Sequence, residues 1–127
     1  MGVMTVGFLA AINLIPMPQK VVTGTGTVPT NVAVTCVTEA SMPREGYRLT
    51  VGADGVRIAS ADAAGAFYAR QTLAQLVQDD GSYPVVSIED APAYPWRGFL
   101  IDDSRHFMGK ETVKRALDRM AEYKFNV

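Results

Sequence analysis

The residues best suited to chemistry crowd into one stretch, Trp96-Arg97-Gly98-Phe99-Leu100-Ile101-Asp102-Asp103-Ser104-Arg105-His106-Phe107. Two arginines, two aspartates and the chain's single histidine surround Phe99 to Ile101, a short apolar run of the kind a fully buried strand shows. Buried charge is costly unless paired, so this density of both residue types predicts a site or an internal salt-bridge network. His106 beside carboxylates brings a general base to mind, yet a base needs a partner in hydrogen-bond reach, and no second histidine or nucleophile accompanies it. One histidine and scattered carboxylates form no metal-ligand spacing, so no metal is expected. Cys36 is the only cysteine, which excludes an intramolecular disulfide; its apolar, alternating surroundings predict a buried, inert thiol.

The elements that must position this stretch belong to an ordinary soluble domain: 127 residues, of which 48% are hydrophobic, are enough for a real core. A net charge of −1 with both signs interspersed gives no electrostatic footprint for nucleic acid or an anionic membrane, and neither is expected as a partner. Met1 to Ala11 is apolar and uncharged, too short for the roughly 20 residues of a spanning helix and without the basic start of a secretory signal. It reads as an apolar leader: a truncated export signal, slightly ahead of two alternatives, a cloning remnant and an ordinary buried amino-terminal strand.

From Ile12 to Val22, Pro16 and Pro18 force an extended path that suits an edge, and Thr23 to Thr27 reads as strand end or turn. Asn31 to Val37 is a strand and Ser41 to Gly46 a loop. Tyr47 to Val51 and Val56 to Ala59 alternate and are joined through Gly52-Ala53-Asp54-Gly55, predicting a hairpin with Tyr47, Leu49 and Val51 on the core face. Arg48, Thr50 and Arg57 then face outward. Ser60 to Asp62 supplies capping side chains for a helix whose inner face carries Ala66, Ala69, Leu73, Leu76 and Val77, with Phe67 and Tyr68 as core aromatics. Pro84 to Ile88 is a further strand, and Glu89-Asp90 opens a connection. A second amphipathic helix from Lys110 to Lys124 turns Val113, Ala116, Leu117 and Met120 inward, and Phe125-Asn126-Val127 begins another apolar run. A strand, a helix and a new apolar run form the opening of a repeated β/α architecture, which as a closed barrel takes about 250 residues.

Five segments carry a family resemblance: Asn13 to Pro18, Glu45 to Leu49, Ala61 to Leu73, Ile88 to Pro92, and Trp96-Arg97-Gly98 through Asp102-Asp103-Ser104-Arg105-His106-Phe107 to Tyr123-Lys124-Phe125-Asn126-Val127. In that order and spacing the chain resembles the front part of a family 20 glycoside hydrolase, a β-N-acetylhexosaminidase. The resemblance implies an α+β fold: a small antiparallel sheet with a packed helix, then the first strand and helix of an incomplete (β/α)8 barrel. It divides the chain into a leader (1–11), a non-catalytic amino-terminal domain (12–92) and the first βα unit of a truncated barrel (93–127). Val21 to Arg44 is shorter than the family's usual segment and holds no helix, so the amino-terminal domain is abbreviated.

The family's substrate-assisted chemistry uses the sugar's own 2-acetamido oxygen as nucleophile, with a Glu as general acid and an Asp that orients the acetamido group. These come as an adjacent Asp-Glu pair, and this chain contains no such dipeptide; Glu89-Asp90 has the reverse order. No catalytic residue is therefore assigned, and the chain alone is expected to be inactive, within a parent that removes terminal N-acetylglucosamine or N-acetylgalactosamine from glycans without metal or organic cofactor. That parent would be secreted or periplasmic if the leader is a signal remnant. Arg97 matches the family arginine that contacts hydroxyls of the terminal N-acetylhexosamine; the bland alternative is an ion-pair partner at the domain interface. Asp102, Arg105 and His106 are expected to be structural, with Asp102 and Arg105 paired. A stand-alone structural or interaction domain that reuses the front of the fold is the rival, and a small intact enzyme working through Asp102, Asp103 and His106 a third. Solvent-facing Leu100, Leu117 and Met120 would favour the fragment and predict a homo-oligomer through the exposed barrel surface.

Overall fold

The structure is a computed structural model that describes residues 12–127; the expectation for Met1 to Ala11 lies outside the described residues. Five strands, β1 (Lys20–Pro29), β2 (Val34–Thr38), β3 (Tyr47–Gly52), β4 (Gly55–Ser60) and β5 (Ser82–Asp90), form one sheet in the order β1-β5-β3-β4-β2. All neighbouring pairs are antiparallel except β2 with β4. Helix α1 (Ala63–Gln75) lies over β3 and β4, and α2 (Lys110–Glu122) lies beside α1. This is the α+β arrangement expected from the sequence, with the sheet mixed instead of purely antiparallel because β2 runs parallel to β4.

The hairpin follows from its alternation. Gly52 faces Gly55 across an Ala53-Asp54 loop, and Gly55 adopts φ +108°, a conformation that glycine enters without steric cost. Tyr47, Leu49 and Val51 on β3 and Val56 and Ile58 on β4 are buried, together with Val86 and Ile88 of β5. Tyr68, Ala69, Leu73 and Leu76 of α1 close over them. Asp62 caps α1 by accepting the Gly65 amide at Oδ1, 2.8 Å away, and its Oδ2 accepts the Glu45 amide at 2.9 Å. One carboxylate thus ties the start of α1 to the loop that precedes β3.

Several expectations are corrected. Thr23 to Thr27 is part of β1, which crosses it with a bulge around Gly26 instead of turning. The inner face of α1 is set by Gly65, Tyr68, Ala69, Thr72 and Leu73, while Phe67 and Val77 are exposed and Ala66 is half-buried. Cys36 is exposed, because β2 is an edge strand on which no residue is buried; its Sγ accepts from Arg70 Nη2 of α1 at 3.4 Å. Phe99 to Ile101 is not a buried strand: Leu100 is 89% exposed. Helix α2 has its apolar residues on one side yet buries none of them.

Gly65 is the tightest junction between helix and sheet, since a Cβ there would run into the Gly46 carbonyl oxygen. Alanine favours a helix interior over glycine by about 0.8–1.0 kcal/mol, but here the clash decides the sign. Gly65→Ala should therefore destabilise the protein by about 1–3 kcal/mol in urea unfolding; a higher midpoint would show that α1 can move away freely.

Candidate functional site

Arg97 stands where the segment after β5 meets the end of α2. Helix α2 closes with a two-bond cap: the Lys124 amide donates to the Ala121 carbonyl (3.1 Å) and the Phe125 amide to the Met120 carbonyl (2.9 Å). This motif places the residue after the cap in the left-handed region, a position glycine usually takes; here it is Lys124, at φ +62°. The turn aims the Lys124 carbonyl at Arg97, whose Nε donates to it at 2.7 Å. Arg97 Nη1 donates to the Tyr94 carbonyl at 2.8 Å and Nη2 to Glu45 Oε2 at 2.6 Å, and the guanidinium lies 5.5 Å from the centre of the Tyr68 ring.

The backbone around Arg97 begins a parallel ladder. Val127 donates to the Arg97 carbonyl at 3.2 Å and Phe99 donates to the Val127 carbonyl at 3.1 Å, which sets Gly98 beside Val127. Asn126 locks the same junction: its Oδ1 accepts the Arg97 amide (2.9 Å), and its Nδ2 donates to the Pro95 carbonyl (2.8 Å) and Glu45 Oε1 (3.3 Å). Strand, helix and returning strand are thus joined as in a βα unit, although the pairing is too short to count as regular strand.

Behind Arg97 lies a buried polar chain. Lys124 Nζ donates to Asp90 Oδ2 at 3.0 Å and to the Tyr47 hydroxyl at 2.9 Å; that hydroxyl donates to Asp90 at 3.1 Å and sits 2.7 Å from the Thr72 hydroxyl. Asp90 Oδ1 accepts the Gln19 amide at 3.2 Å. Burial drives the Lys124 ammonium below the ordinary lysine value, against the pull of Asp90, and drives the Tyr47 phenol well above the usual tyrosine value. Asp62, by contrast, is held below the ordinary carboxylate value of 3.8 by the Glu45 and Gly65 amides that donate to it. A cavity of about 200 Å³ opens over this network, lined by Glu45, Tyr47, Tyr68, Asp90, Arg97 and Lys124 among others.

Among the residues singled out from sequence, the structure half-buries Arg97 in this junction and leaves the others in an exposed loop. Asp102 and Arg105 do approach each other, at 3.9 Å, but both are open to solvent, and Asp102 is held more firmly by the Ser104 hydroxyl at 2.7 Å, which lowers its pKa. His106 is exposed in the same loop. Glu45, Asp90, Lys124 and Asn126 were not foreseen. The sequence signal that could have found Glu45 and Asp90 is their place in the segments Glu45 to Leu49 and Ile88 to Pro92; Asp90 ends β5 and faces α2's terminus instead of opening a linker. Among the described residues, no group of three His, Cys, Asp or Glu could hold a metal ion.

Residues 24–91 match glycosyl hydrolase family 20, domain 2, and residues 94–127 match glycosyl hydrolase family 20, catalytic domain. The chain is 46% identical over 105 residues to a beta-hexosaminidase of Vibrio vulnificus, an alignment that covers 82% of this chain and 12% of that protein. It is 35% identical over 122 residues to a beta-hexosaminidase of Akkermansia muciniphila, covering 92% of this chain and 24% of the relative. A solved family 20 beta-N-acetylglucosaminidase superposes with a TM-score of 0.82 at 35% identity, over 91% of this chain and 28% of that one. The chain therefore spans a quarter or less of the curated relatives it matches.

Two outcomes follow from the buried network. Asp90→Asn leaves the Lys124 charge without its counter-ion and should cost about 3–5 kcal/mol in denaturant unfolding; a loss below 1 kcal/mol on the same principle would show that Lys124 escapes to solvent. For Asp62, the folded pKa lies below the unfolded value, so its contribution is complete above pH about 4 and is lost as pH falls through the folded value. Asp62→Asn should accordingly lower stability at neutral pH and flatten its decline below pH about 4, read from urea midpoints across that range.

Proposed function

The chain belongs to glycosyl hydrolase family 20, and from that premise we propose that it is the front part of a β-N-acetylhexosaminidase: an amino-terminal domain over 12–92, following a leader over 1–11, and the first βα unit of the catalytic barrel over 93–127. The observation that carries this reading is the junction at Arg97, where a strand lead, a helix and a returning strand meet in parallel register inside the segment matched to the catalytic domain. The whole enzyme acts on terminal N-acetylglucosamine or N-acetylgalactosamine of glycans. These 127 residues contain no Asp-Glu dipeptide, and on this reading they do not hydrolyse the glycan by themselves.

Arg97 is the substrate-binding residue of this segment. A guanidinium has five N–H donors, and three of them are already engaged by Lys124, Tyr94 and Glu45. One N–H on each terminal nitrogen remains, a pair suited to two neighbouring sugar hydroxyls. The interface role and the sugar contact are thus compatible in one side chain. Asp102, Arg105 and His106 shape the loop after the strand lead without touching the sugar.

The stand-alone domain fits the surface less well. Leu100 is 89% and Leu117 54% exposed, with Phe99, Phe107 and Met108 also open, while Met120 is half-buried and α2 fully buries no residue. Exposed large apolar residues in such number on one segment support a surface that another element or another copy covers.

A longer gene product that continues into an Asp-Glu pair should hydrolyse a chromogenic N-acetylglucosaminide, while the purified 127-residue chain should not. Hydrolysis by the short chain, abolished by Asp102→Ala, would overturn the proposal. Arg97→Ala in the longer protein should reduce kcat/KM by at least about tenfold, since hydrogen bonds from a charged donor contribute about 1.5–3 kcal/mol each. The short chain should dimerise or aggregate through its apolar face; a monodisperse monomer in sedimentation counts against that face being an interface.

A further inference from the structure

We infer that Glu45 is a positioning residue: from the sheet domain, it fixes the Arg97 guanidinium and the register of the two barrel strand leads. The inference rests on Arg97 contacting the sugar and adds a group that acts only through it.

Its two carboxylate oxygens divide the work. Oε2 takes Arg97 Nη2 at 2.6 Å, and Oε1 takes Asn126 Nδ2 at 3.3 Å. Arg97 leads the first strand and Asn126 the returning one, so one carboxylate spans both. Because the Asn126 side chain also holds the Arg97 amide and the Pro95 carbonyl, Glu45 controls the side chain of Arg97 directly and its backbone indirectly. The Glu45 side chain is only 9% exposed, which keeps water from competing for the contact.

The backbone shows that the side chain is the reason for this residue. Glu45 sits at φ +62°, where a glycine would be relaxed, and among the described residues only Lys124 shares that conformation without being glycine. A loop that merely had to turn would be relieved by glycine here. The strained geometry is held by the Asp62 carboxylate on the Glu45 amide and by the Gly46 amide on the Pro43 carbonyl at 2.8 Å, and it places the carboxylate at Arg97. Asp62 in turn is fixed by capping α1, so the orientation of Arg97 is referred back to the rigid sheet-and-helix layer.

Positioning and plain structural support make different predictions in a double-mutant cycle. In the full-length hexosaminidase that carries this segment, kcat and KM for 4-nitrophenyl N-acetyl-β-D-glucosaminide and the melting temperature are measured for Glu45→Gln, Arg97→Ala and the double variant. Glu45→Gln should lower kcat/KM at least tenfold in the native background and by less than twofold in the Arg97→Ala background. Glu45→Asp, which keeps the charge but draws it back by one methylene, is a second variant should Glu45→Gln fold poorly; it should lose activity in the same Arg97-dependent way. An equal fall in both backgrounds, or a fall that only follows melting temperature, overturns the positioning role and leaves the sugar contact standing. If Arg97→Ala itself leaves kcat/KM unchanged, the sugar contact falls and the positioning role falls with it.

Discussion

Two buried ion pairs hold this molecule together where its apolar packing runs out. Lys124 with Asp90 and Arg97 with Glu45 both join a cation from the part of the chain after β5 to an anion from the sheet layer, at 3.0 and 2.6 Å. Since α2 buries no residue of its own, little hydrophobic area fastens that segment to the sheet. The junction depends instead on the charges finding each other. A buried pair repays its desolvation only when the geometry is good and the remaining donors and acceptors are filled. Here they are: Tyr47 and Gln19 complete Asp90, Thr72 completes the Tyr47 hydroxyl, and Asn126 completes Glu45. Among the described residues, no buried side-chain polar atom lacks a partner.

Such a junction is specific before it is strong. An apolar interface tolerates sliding and rotation, whereas each of these charges has one acceptable position. Glu45 and Lys124 both hold left-handed backbone, at roughly 1–2 kcal/mol each, to reach that position. The exposed ion pairs of α2, Lys114 with Glu111 and Arg119 with Glu122, contribute little by comparison, because water screens them. Gln75 adds a neutral staple from α1, accepting the Ile15 amide and donating to its carbonyl, both at 2.9 Å, so the lead-in segment is tied to the same layer.

What could be read from the sequence is what local pattern controls. The β3–β4 hairpin, the capped α1 and the amphipathic α2 each follow from alternation, turn residues or helical spacing within about a dozen residues. The junction does not, because its partners are far apart along the chain: Glu45 and Asn126 are separated by 81 residues and Tyr47 and Lys124 by 77. A local pattern assigns any lysine or glutamate to solvent, so Lys124 at 7% exposure and Glu45 could only be placed once the layers were assembled. The converse failures have the same origin. Cys36 and Phe99 to Ile101 have apolar neighbours in sequence, but burial needs a covering layer: β2 is an edge strand with no buried residue, and no element among the described residues covers Leu100.

The junction also bears on how Arg97 could serve two ends. An arginine free to rotate loses side-chain entropy each time it binds, and that loss comes out of the affinity. Arg97 has been deprived of that freedom in advance, by three donors engaged on three different partners and by the Tyr68 ring beneath it. The two N–H groups still available then point in directions set by the sheet domain, not by the ligand. With Arg97 as the proposed sugar contact, the sheet domain contributes to recognition by orientation alone, and the cost of ordering the arginine is met during folding instead of during binding.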